Sequence, residues 1–210
     1  MDYTTLVGLR TVDGSIKAWL NNSTIPSTTV LEEAERYIYS RIRVREMLAS
    51  TTGTLGSATE TIALPDDYIR MERIAFTGEW AQELDRMDPG RLEAMYRWDE
   101  NGTRLEGLPT AYASIGTILQ LDSPADQDYP YRALYYARPA ALGTGNTTNF
   151  LTDRYPRLLR STCLAFANEW LKKADEKQYW LSIAENEIAQ AQRESESEQR
   201  RNADLMVFTR

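Results

Sequence analysis

The apolar residues of this 210-residue chain change period twice along its length, from helical to strand-like and back, which restricts its fold more than any other feature. Leu31, Ala34, Ile38 and Ile42 recur at i, i+3, i+7 and i+11, a spacing that lines up one stripe of a helix. Late in the chain Leu159, Cys163, Phe166 and Trp170 form a comparable stripe, and Trp180, Ala184, Ile188 and Ala191 another. Between these regions lie short runs rich in β-branched and aromatic residues, which suit a pleated, half-buried surface. A pattern with one period cannot bury a continuous face in the other structure.

Local signals refine this layout. A first helix is expected over residues 3–21, with Leu6, Leu9, Ile16, Trp19 and Leu20 as its apolar positions, although Gly8 and Gly14 weaken it. A second runs from an N-cap at Thr28 or Thr29 to about Leu48. Residues 50–57, rich in Ser, Thr and Gly, read as a connector. Strands are expected over 59–64, 69–77, 112–115, 117–122 and 131–137, with Gly116 in a turn. A short helix over 89–98 should begin at Asp88 and Pro89, because proline already has a helical φ and the first turn needs no N–H from it. Helices return over 153–173 and 175–200. The expected fold is mainly α with a β insertion, an α+β chain. Residues 1–50 and 149–201 form a helical bundle body, 51–148 a small antiparallel β-rich insert, and 202–210 an extended C-terminal arm.

Composition removes much chemistry. The chain has no histidine, which takes away Ser-His-Asp and Cys-His nucleophilic machinery and most zinc sites. Its single cysteine, Cys163, permits no internal disulfide and sits where a small core residue belongs. A net charge of −7 argues against a phosphate-gripping surface. No run approaches the roughly 18 apolar residues of a membrane helix, and the N-terminus lacks a signal peptide's basic and apolar regions. A soluble protein made in the cytoplasm is expected, with no catalytic residues, cofactor or metal.

Several motifs read as structure. Gly143-x-Gly145 lacks the third glycine and Lys-Ser/Thr of a phosphate loop. Asp122, Asp126 and Asp128 lack the calcium-loop spacing and its distal glutamate. No pair among the many carboxylates is marked for glycosidic cleavage. Tyr131, Leu134 and Tyr136 are expected to pack into and over a small sheet rather than stack on bases. The C-terminus is different. Leu205, Met206, Val207 and Phe208 follow a very polar stretch from Glu194 to Arg201. Polar spacer, apolar patch and terminus together suit an arm that orders on a partner. With no long apolar stripe left over, the isolated protein is expected to be a monomer or small oligomer.

Three segments carry a family resemblance. Ile62-Ala63-Leu64-Pro65-Asp66-Asp67-Tyr68 resembles the "LPxDF/Y" segment of head-to-tail adaptor proteins of tailed bacteriophages. Tyr135-Tyr136-Ala137-Arg138-Pro139-Ala140-Ala141-Leu142 is similar to their "YYxxPxxL" strand. Asn149-Phe150-Leu151-Thr152-Asp153-Arg154-Tyr155-Pro156 resembles the turn leading into their long helix, here continuing through Ala165-Phe166-Ala167-Asn168-Glu169-Trp170-Leu171. The resemblance implies a virion structural protein of the neck or connector, assembled in the host cytoplasm. It implies copies in a ring, expected to be a dodecamer, below the portal protein. That ring would extend the DNA channel without binding DNA specifically and dock the tail or nozzle proteins, with no membrane involved. The C-terminal segment, with Leu205, Met206, Val207 and Phe208, would be the portal anchor. Another tail-completion or tail-tube protein, or a carboxylate-dependent cell-wall hydrolase, are the alternative readings.

Overall fold

The computed structural model describes residues 1–207, apart from the side chains of Trp80 and of 199–207. In chain order its elements are α1 (Tyr3–Leu6), α2 (Ile16–Trp19), α3 (Ser27–Arg41), β1 (Leu48–Leu55), β2 (Thr61–Ala63), β3 (Tyr68–Phe76), β4 (Asp85–Arg86) and α4 (Pro89–Glu93). They continue with β5 (Ala111–Ile115), β6 (Ile118–Leu121), β7 (Tyr129–Ala137), α5 (Phe150–Asp153), α6 (Pro156–Trp170) and α7 (Ala174–Val207). Two compact units result, one from Met1–Met47 with the chain from Pro139 onward, the other from Leu48–Arg138. The fold is α+β.

In the helical unit, the single helix expected over 3–21 is two short ones. Gly14 takes φ +87° between them, a left-handed conformation that interrupts a helix. Each piece has its own cap: Asp2 Oδ1 accepts from Thr5 N at 2.8 Å, and Ser15 Oγ from Ala18 N at 3.0 Å. α3 begins at Ser27 after Pro26 without a side-chain cap and ends at Arg41, short of the expected Leu48. Its stripe holds, with Leu31, Ala34 and Ile38 buried and Ile42 buried just beyond its end. The helix expected from 153 is broken at Tyr155, whose φ −124°, ψ 49° is set beside Pro156 at the start of α6. α5 before it carries a capping box of Asn149 and Thr152. α6 packs against α3 and α7. Leu159 and Cys163 are in the core, but Trp170 is 48% exposed in an uncovered last turn. α7 buries Ala184, Ile188 and Ala191, then Ser195, continuing the same helical stripe.

In the other unit, residues 50–57 are mainly strand rather than connector. β1 pairs antiparallel with β7 from Leu48↔Tyr136 to Leu55↔Tyr129, and β7 pairs with β3, in the order β1-β7-β3. A four-stranded sheet has the order β2-β6-β5-β4, with β4 parallel to β5. Leu55, Ile74, Phe76, Leu119, Leu121 and Tyr129 from both sheets share one core, so the sheets pack face to face. β5 is buried on both sides: Tyr112 joins that core, while Ala111 and Ala113 pack with Leu92 of α4. α4 starts as expected, Asp88 Oδ1 accepting from Gly90 N at 3.0 Å with Pro89 behind it. Along β7 the tyrosines divide between faces. Tyr129, Tyr131 and Tyr135 pack with the shared core, while Leu134 and Tyr136 alternate to the opposite side.

Candidate assembly surfaces

The expected anchor residues fall at the end of α7. This helix has 34 residues, about 51 Å at 1.5 Å per residue. Its backbone is helical to Val207, so residues 202–207 continue the helix where an extended arm was expected. Leu205, Met206 and Val207 lie on its last turns, their side chains outside those described, and Phe208 lies outside the described residues. Ser195 is the last buried α7 side chain among the described residues.

Polar contacts hold the preceding stretch of α7 to the body. Ser195 Oγ accepts from Arg45 N at 2.9 Å, and Gln192 Nε2 donates to Arg41 O at 2.9 Å. Arg154 pairs with both Glu46 and Glu198, and Arg45 reaches Glu198 at 3.5 Å. Arg41 is the last residue of α3, so its carbonyl is one that a helix end leaves without an intrahelical partner, and Gln192 satisfies it. Two further α7 carboxylates are also engaged: Glu187 with Arg157 at 3.2 Å and Glu194 with Gln190 at 2.9 Å.

A second surface is aromatic. Trp19 and Trp180 meet edge to face at 6.4 Å between centroids, and Tyr179 lies 5.3 Å from Trp180. Trp19 and Tyr179 remain 49% and 58% exposed. The Arg160 guanidinium lies 4.8 Å over the Trp19 ring. Tryptophan, tyrosine and arginine are the side chains that concentrate at the energetic centres of protein interfaces. Sequence reasoning counted Trp19 and Trp180 among the apolar positions of their helices and missed this surface.

The weighed motifs serve local structure. Asp122 accepts from Thr110 N, Thr110 Oγ1 and Ala111 N at 2.7–3.2 Å, Asp126 from Tyr129 Oη at 2.5 Å, and Asp128 from Ser57 N at 2.9 Å. Gly143 pairs with Asn146 in a small bridge, and the Asn146 amide donates to Ala140 O and Ala141 O, each at 3.1 Å. Cys163 is fully buried in the core, and that burial raises its thiol far above its ordinary range. A hollow of about 380 Å³ in the β unit is lined by Met95, Leu105, Leu108 and the already engaged Asp122, among others. Among the described residues no group of three His, Cys, Asp or Glu could hold a metal, and no helix is long and apolar enough to cross a membrane.

No curated protein matches the chain. The family model described as "SU10 adaptor protein" matches residues 1–205, both helical ends and the β insertion included. The chain therefore belongs to the SU10 adaptor protein family, structural proteins of bacteriophage virions that act as head-to-tail adaptors.

Proposed function

We propose that this adaptor forms a ring below the portal protein, extends the DNA channel and docks the tail or nozzle proteins, with Leu205, Met206, Val207 and Phe208 as its portal anchor. The observation that carries this reading is the family match together with the course of α7. The helix runs about 18 Å, at 1.5 Å per residue, from Ser195 to Val207. A helical approach reduces the ordering cost of the spacer, because its backbone is fixed before it meets a partner. The exposed Trp19 and Tyr179, with the Arg160 guanidinium over the Trp19 ring, give successive subunits a surface to bury. A dodecamer, assembly in the host cytoplasm and residence in the virion neck complete the proposal. The net charge of −7 suits a wall past which DNA slides without specific binding. The role is structural, with no catalysis.

The test is electron microscopy of the chain mixed with its portal protein. A second ring stacked on the portal supports the proposal. Tubes of this chain without portal would favour a tail-tube role instead.

A further inference from the structure

Among the described residues, strand β1 has one unpaired edge. It lies at the end of the sheet order β1-β7-β3 and pairs only with β7. The backbone of residues 48–55 makes no hydrogen bond to any other element among the described residues. Such an edge is a row of N–H and C=O groups ready to pair with another strand, and proteins ordinarily shield it with charge, proline or a bulge. β1, of sequence Leu-Ala-Ser-Thr-Thr-Gly-Thr-Leu, has none of these. Its register with β7 is unbroken over all eight residues, and Ser50, Thr52 and Thr54 are exposed on its outer face.

The other sheet edges are protected. β3 carries Arg70, Glu72 and Arg73, two register shifts, and a covering segment in which Phe76 N donates to Gln82 O at 2.8 Å and Leu84 N to Ile74 O at 3.0 Å. β2 has three residues and β4 two. Among the described strands, the one that matches β1 in length and lack of charge is β1 itself.

We propose that β1 pairs antiparallel with β1 of a second copy, giving a dimer with a continuous six-stranded sheet. Two acidic chains can meet along this edge without opposing like charges. Centred on Thr52, the pairing sets Thr52 against its counterpart and Ser50 against Thr54 of the other copy, cross-strand hydroxyl pairs that favour association. The inward Ala49, Thr51, Gly53 and Leu55 keep facing the core, because an antiparallel pair with this centre preserves the faces. A two-fold pair of this kind closes on itself and cannot propagate as a head-to-tail ring. It is therefore a form of the free protein that shields the edge before assembly. It does not depend on the ring reading, and either can fail alone.

Sedimentation of the full chain over a concentration series, with amide exchange of residues 48–55, tests the pairing. The wild-type protein should dimerise, and those amides should become protected as it does. Thr52→Lys, which sets two ammonium groups against each other at the centre, should raise the dimer Kd at least tenfold, with an unchanged circular dichroism spectrum and an unchanged Tm at concentrations below the wild-type dimer Kd. Thr52→Val, uncharged and β-branched, should keep the dimer. A protein that is monomeric throughout the series, or a dimer indifferent to Thr52→Lys, overturns the proposal. Protection of 48–55 that appears only when portal protein is added assigns the edge to a foreign strand and also overturns it.

Discussion

The Glu35 carboxylate on α3 accepts the backbone N–H of Leu142 at 3.1 Å, joining positions 107 residues apart. Tyr39 Oη at 3.1 Å and Asn149 Nδ2 at 3.2 Å donate to the same carboxylate, which is 3% exposed. The Asn149 that caps α5 is thereby tied to α3, so one acid connects the N-terminal and C-terminal helices of the body. Burial raises its carboxyl above the ordinary value of 4.5, and its hydrogen bonds oppose that shift without cancelling it.

Glu35→Ala should cost at least about 2 kcal/mol, because it strands the Leu142 N–H and the Tyr39 and Asn149 donors in the core. The raised carboxyl also fixes a pH dependence. In the interval above pH 4.5 the folded state holds a proton that the unfolded state has lost, so stability rises as pH falls through that interval. Glu35→Gln should flatten this part of the profile. Urea unfolding of both proteins at several pH values measures it, and parallel profiles would count against the assignment.

Gly53 is needed for the closeness of Tyr131. The two residues face each other across β1 and β7, and a Cβ on Gly53 would lie 2.6 Å from the Tyr131 hydroxyl and 2.7 Å from its ring carbon. Gly53→Ala should destabilise by about 1–3 kcal/mol as the ring is displaced. Adding Tyr131→Leu should recover part of that loss. Strictly additive costs in the double-mutant cycle would show that the ring is not the obstacle.

Arg154 bridges Glu46 and Glu198 while partly open to solvent. Arg154→Gln should cost only about 1 kcal/mol, and less in high salt, because water screens the pairs. The informative readout is local. Amide exchange over residues 192–198 should quicken in the variant while α3 and α6 keep their protection. Unchanged exchange there would mean that the stripe ending at Ser195 holds α7 without help from charge.

Deleting residues 203–210 should leave the Tm and solubility of the body unchanged and weaken portal attachment at least about tenfold, since burial of even one such apolar side chain contributes about 1.5–3 kcal/mol. Phe208→Asp should act in the same direction by placing a charge in an apolar pocket. A truncated protein that loses thermal stability yet binds portal normally would remove the anchor.

Where a face repeats every few residues, the chain revealed its own structure. Ala184, Ile188 and Ala191 were visible as one stripe because helix geometry brings them together whatever lies opposite. Asp88 and Pro89 marked the start of α4 for an equally local reason, a side-chain acceptor and a preset φ within one turn. The succession of Leu64-Pro65-Asp66-Asp67-Tyr68, Tyr135–Leu142 and Asn149–Pro156 pointed to the adaptor family before any coordinates. Tertiary structure decided the remainder. Residues 50–55 resemble a linker in composition and become a strand because β7, some eighty positions later, supplies their hydrogen bonds. Trp19 and Trp170 have apolar side chains at helical spacing, yet each stays about half exposed, because the elements that reach them leave part of each ring open. Glu35 is an ordinary acid of an amphipathic helix until Leu142, Tyr39 and Asn149 converge on it. Periodicity is written within a few consecutive residues, whereas pairing and burial depend on which distant segment arrives, and a single chain read locally does not contain that choice.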